Sequence, residues 1–102
     1  MSIEQSMDKV LARRDEVESR LADAASMSPD ELASLSRELS ALRPVCEQID
    51  FVRRLEGDRD AAVMLAEEAA DDAEMAEMAQ AEIQEIEARL PEEMNSLQLL
   101  LL

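Results

Sequence analysis

A chain of 102 residues suits one small domain, and 47% apolar content with a mean hydropathy of -0.25 belongs to a folded chain rather than a disordered one. One Phe, one Gly, three Pro and no Trp, Tyr or His leave most positions to Ala, Leu, Glu and Arg, the composition of long helices around a thin core. A formal charge of -15, from 25 acidic and 10 basic residues, argues against direct contact with nucleic acid, and no apolar run approaches the ~20 residues that span a bilayer.

The first periodic stretch places Ile3, Met7, Val10, Val17, Leu21 and Ala24 on one stripe, with Arg14 at a seam position, and predicts a helix over 3–25. A second start signal follows at Ser28-Pro29-Asp30-Glu31. Ser28 serves as N-cap, Pro29 takes the first helical position, and Glu31 stands where its carboxylate can reach back to the cap. The stripe then reads Leu32, Leu35, Leu39, Leu42, Cys46, Ile49 and Val52, with Phe51, Leu55, Val63 and Ala66 less regular. Pro44 withholds a hydrogen bond from the carbonyl of Ser40 and crowds the preceding turn, so the pattern predicts a helix over 29–42 and another over 45–70, kinked or split at Pro44.

Like charges at Glu67, Glu68, Asp71 and Asp72, four apart in two pairs, discourage one helix from continuing, whereas the aspartates suit the start of the next. Asp71 with Glu74 forms a capping-box pattern. Met75, Ala79, Ile83, Ile86, Leu90, Met94, Leu97 and Leu101 make the third stripe, over 73–102, with a bend expected near Glu87 from Pro91. Short connections make neighbouring helices antiparallel. The fold class is therefore all-α, an elongated antiparallel hairpin or bundle of three main helices. Pairing about a turn near residue 71 puts Leu97 and Leu101 beside Leu42, Val45 and Cys46, and leaves Leu99, Leu100 and Leu102 harder to bury.

No catalytic set is legible. Without histidine there is no Ser–His pair and no imidazole ligand, one cysteine cannot build a thiolate zinc site, and one glycine excludes the phosphate-cradling fingerprints. No loop of oxygen ligands surrounds Asp71, Asp72 and Glu74, so no metal or cofactor is expected. Cys46 reads as a small buried hydrophobe, and Met75, Met78 and Met94 as core filler whose alternative is an adaptable partner surface. A single cysteine and no secretory signal suit a reducing cytoplasm. Glu67 to Glu93 holds eleven carboxylates against Arg89 alone, so a charge-steered partner should be basic and meet the C-terminal half.

The stretch Asp71-Asp72-Ala73-Glu74-Met75-Ala76-Glu77-Met78-Ala79-Gln80-Ala81-Glu82-Ile83 resembles the segment "DDPEMREMAxxEL". Residues 38–49, "ELSALRPVCEQI", resemble "ELAxLxPVVExY", and the closing "LQLLLL" resembles "LxxLLLP". All three patterns come from the N-terminal helical domain of the bacterial peptide chain release factor 1 family, and the resemblance covers essentially the whole chain. Ala73 stands where that family usually has proline. The resemblance implies an isolated domain of a larger factor that directs translation termination at UAA and UAG. The family's Gly-Gly-Gln hydrolysis motif and its codon-reading tripeptide would lie beyond residue 102, so the chain itself would not be an enzyme.

It further implies contact with the ribosome at the GTPase-associated region, including the large-subunit stalk-base protein, and with the recycling GTPase, release factor 3. Asp71, Asp72, Glu74 and Glu77 are the expected partner-binding residues, facing a basic protein surface rather than RNA. The alternative is a stand-alone acidic helical adaptor that forms a homodimer through its stripes, as a coiled coil does.

Overall fold

The computed structural model describes residues 1–102, as three α-helices and one short 3-10 turn. Helix α1 spans Ile3–Leu21, α2 spans Pro29–Glu68 and α3 spans Ala73–Leu100, with the 3-10 turn at Ala24–Ser26. The molecule measures 63 × 26 × 20 Å. Its long dimension is that of α2, whose 40 residues extend about 60 Å at ~1.5 Å per residue. Helix α1 lies antiparallel on the first part of α2 and α3 on the second, and the two overlap only around the middle of α2.

Local chemistry starts each helix. Ser2 caps α1 in a complete capping box, its hydroxyl accepting from the Gln5 N–H while its own N–H donates to the Gln5 side chain. Ser28 caps α2 by accepting from the Glu31 N–H at 3.2 Å, with Pro29 in the first turn. Only half of the predicted box forms there. The Glu31 carboxylate turns away from the cap and accepts from the Arg20 guanidinium, a charged donor that outcompetes a neutral amide. The third cap is Asp72 rather than Asp71: the Asp72 N–H donates to the Ala69 carbonyl to close the turn, and its carboxylate accepts from the Met75 N–H at 3.2 Å. Asp71 is left exposed in the connection.

Of the kink or split expected at Pro44, the split does not occur. Helix α2 runs without interruption through that residue, and α3 likewise through Pro91. Both prolines lie on exposed faces. One missing N–H in a helix costs about 3 kcal/mol. Against this, Leu35 on one side of Pro44 and Cys46, Ile49, Val52 and Leu55 on the other are all buried, so packing on both sides of the proline offsets the lost bond.

The centre of the core is where all three helices meet. Met7, Ile49, Val52 and Leu97 form a fully buried cluster, flanked by Ile3, Val10, Leu11, Val45, Leu90, Met94 and Leu101. Of the expected neighbours Leu42, Val45 and Cys46, only Val45 flanks the cluster, and Leu97 packs instead on Ile49 and Val52 further along α2; Leu101 lies against the same cluster, whereas Leu99, Leu100 and Leu102 remain exposed. Polar contacts hold the same register. Gln48 donates to the Glu93 carbonyl at 3.0 Å and carboxylate at 2.8 Å, Arg53 reaches Asp8 at 2.7 Å, and the Arg89 guanidinium lies 5.3 Å from the Phe51 ring centroid. Arg13 grips Glu38 with two parallel N–H donors, drawing the Glu38 carboxyl below its ordinary range.

Beyond this centre the α2–α3 pair stands alone, and its buried line narrows to Ala62, Ala69 and Ala79 with Leu55, Ile83 and Ile86. The stripe here differs from the predicted one: Ala62 and Ala69, seven residues apart, face α3, while Val63 is 37% exposed. Alanines without bulk let the two backbones close near the turn, which pushes the larger side chains to the flanks.

Candidate docking surface

The far end of the hairpin gathers the four expected partner-binding residues, all exposed: Asp71 in the turn, Asp72 at the cap, and Glu74 and Glu77 in the first turns of α3. Between Ala61 and Ala88 the sequence holds nine carboxylates and no cation. The ion pairs of the molecule all lie elsewhere, between Glu4 and Asp60. Arg89, the one cation of the acidic stretch, is placed over Phe51 towards the centre. The negative potential of the hairpin end is thus uncompensated from within. Its carboxylates do not converge: no group of three acidic, His or Cys side chains is close enough to hold a metal ion.

An apolar cleft lies beside the acid of the turn and α3. Leu65 on α2 and Met75, Met78 and Ala79 on α3 line an open groove of about 280 Å³, with Asp72, Glu74 and Glu82 at its edge. Leu65 is 40% exposed, Met75 46% and Met78 69%. Reading Met75 and Met78 as core filler is therefore corrected. Ala62, Ala66 and Ala69, the α2 residues of that level, are too small to cover two methionines, so both spill outward. Met94, by contrast, packs on the buried cluster at the centre. Leu65 was missed by the sequence reading because it lies off the α2 stripe; its proximity to Met75 becomes visible only once the hairpin register is known.

Cys46 is buried, and burial pushes its thiol above its ordinary value although Arg14 works in the opposite direction. No buried side-chain nitrogen or oxygen lacks a hydrogen-bond partner, and no helix is long and apolar enough to cross a membrane.

Geometry and charge together define an acidic helical-hairpin domain whose exposed end carries an apolar groove beside exposed carboxylates. The chain belongs to the PCRF domain family, whose model matches residues 10–102. Among curated proteins it is similar to peptide chain release factor 1 of Ruegeria pomeroyi, with 41% identity over 100 residues, covering 97% of this chain and 26% of that protein. Peptide chain release factor 1 of Gluconobacter oxydans is 33% identical over 102 residues and that of Acidiphilium cryptum 34% identical over 102 residues, each covering 100% of this chain. The chain spans 28% and 27% of those two relatives. No solved structure matches it significantly. The N-terminal helical domain recognised in the sequence is thus matched over the whole chain by relatives of that name.

Proposed function

We propose that this chain is the N-terminal interaction domain of a peptide chain release factor 1, the factor that directs termination at UAA and UAG on the ribosome, in the cytoplasm. The observation that carries this reading is the PCRF match over residues 10–102 together with relatives named peptide chain release factor 1. Codon reading and peptidyl-tRNA hydrolysis belong to other domains of the complete factor. The role left to this one is contact. Its uncompensated acidic end, with Asp71, Asp72, Glu74 and Glu77, suits the basic protein surface of the GTPase-associated region at the stalk base, and release factor 3, better than rRNA.

Two measurements test the proposal. Residues 1–102 alone should release no peptide from a terminated ribosome, and measurable release would overturn the assignment of hydrolysis to other domains. In the complete factor, replacing Asp71, Asp72, Glu74 and Glu77 by Ser should slow ribosome association at low ionic strength and matter little at high, because steering is screened beyond ~10 Å at 0.1 M salt. Serine retains a capping hydroxyl at position 72, so the helix start survives the change. Association unchanged at all salt concentrations would refute the docking role. A self-associating adaptor remains the competing reading, since Leu99, Leu100 and Leu102 are exposed. Sedimentation equilibrium of the 102-residue chain separates the two, a dimer favouring the adaptor.

A further inference from the structure

We infer that the groove between Leu65 on α2 and Met75 and Met78 on α3 is the seat of a cationic amphipathic helix of a partner protein, which would stand as a third helix against the far end of the hairpin. This rests on the docking reading above and names the chemistry of its partner.

The molecule contains its own template for such a contact. Around Ile49 and Val52, α1 supplies the third helix: Met7 enters the space between α2 and α3, while Arg13 and Arg20 on α1 bind Glu38 and Glu31 on α2. An apolar stripe edged by basic residues is thus what α2 already receives along its first part. Beyond Leu55 no third helix exists, yet the two requirements persist, with exposed apolar side chains between α2 and α3 and the carboxylates of Asp72, Glu74 and Glu82 beside them.

The other occupants fit the observations less well. A second copy would bring two hairpin ends with nine carboxylates each into contact. Nucleic acid and anionic lipid repel the same charge. A small molecule would find an open surface with no buried polar side chain to orient it. An extended strand would find no sheet edge, because the chain has no strand. A helix laid along the groove presents apolar residues at every third or fourth position to flexible methionines, which adapt to different side chains, while its lysines or arginines reach Asp72, Glu74 and Glu82.

The test uses the 102-residue chain labelled with 13C at its seven methionine methyl groups. The probe is a peptide of about eighteen residues with leucines at i, i+3, i+4 and i+7 and lysines elsewhere. The expected result is that the Met75 and Met78 methyl resonances shift while those of buried Met7 and half-buried Met94 do not. A control peptide with serine for leucine keeps the charge and should bind about tenfold more weakly. The double variant Met75→Ser, Met78→Ser should lose a similar factor with unchanged circular dichroism, since both side chains are exposed. Equal affinity for the serine peptide, unchanged binding by the double variant, or shifts confined to Met1 and the leucine end would each overturn the inference. So would self-association of the unbound chain through Met75 and Met78. The peptide assay requires no ribosome: if it fails while the carboxylate-to-serine factor still associates slowly, docking stands and the helical partner falls. The reverse pair of results would remove the ribosomal reading and leave the groove.

Discussion

Leu97 and Leu99 are chemically identical and two residues apart, yet one is wholly buried against Met7, Ile49 and Val52 while the other is 71% exposed. Truncating Leu97 to Ala should cost about 2–5 kcal/mol by opening a cavity where three helices meet, whereas Leu99→Ala should fall within about 0.5 kcal/mol of neutral; urea unfolding of both variants compares them. Gly57 offers the opposite case. It sits on an exposed helical face with ordinary negative φ, and a Cβ added there would meet nothing within 4 Å. Gly57→Ala is accordingly expected to raise stability by about 0.5–1 kcal/mol, read from the same denaturant midpoints. Both arguments depend on where a residue stands rather than on its type.

The helices differ in what holds them. The α1–α2 pair is braced by charge at Arg13–Glu38, and the sign of its pH dependence follows from the lowered Glu38 carboxyl. That contribution is complete above the unfolded-state value, ordinarily 4.5, and is lost as pH falls through the lower folded-state value. Glu38→Gln should therefore destabilise the chain at neutral pH and flatten the acid limb of a stability-versus-pH curve. The α2–α3 pair is firm at its centre and thin beyond. Amide hydrogen exchange should be slowest at 45–53 and 90–97 and fastest over 65–76, where burial rests on Ala62, Ala69 and Ala79. Much of this was legible in sequence: apolar spacing located three helices, and the Ser28-Pro29 signal marked the start of α2 to the residue. The continuity of α2 was not, because Pro44 declares a local penalty while the burial that offsets it comes from residues distant in sequence, Met7 and Leu97 among them. Nor was the choice of Asp72 over Asp71 as cap, which depends on how the preceding helix closes on Ala69.

At the scale of the whole molecule, charge dominates. A net -15 on an elongated body places many carboxylates within reach of one another, and salt should relieve that repulsion more than it weakens the exposed ion pairs. Thermal unfolding followed by circular dichroism should consequently shift upward between low salt and 0.5 M, by about 4–8 °C for each kcal/mol of repulsion screened. The candidate docking surface was half legible in this respect: composition revealed the acid around residues 67–93, but the groove inside it required knowing that alanines on α2 leave Met75 and Met78 uncovered. The unbroken α2 also carries a mechanical consequence. From Ile49, at the three-helix cluster, to Glu68, at its end, the helix extends about 30 Å, so a tilt of about 5° at the cluster sweeps the acidic turn through roughly 3 Å. The packing of Met7, Ile49, Val52 and Leu97 thus sets the position of an acidic turn that none of them touches.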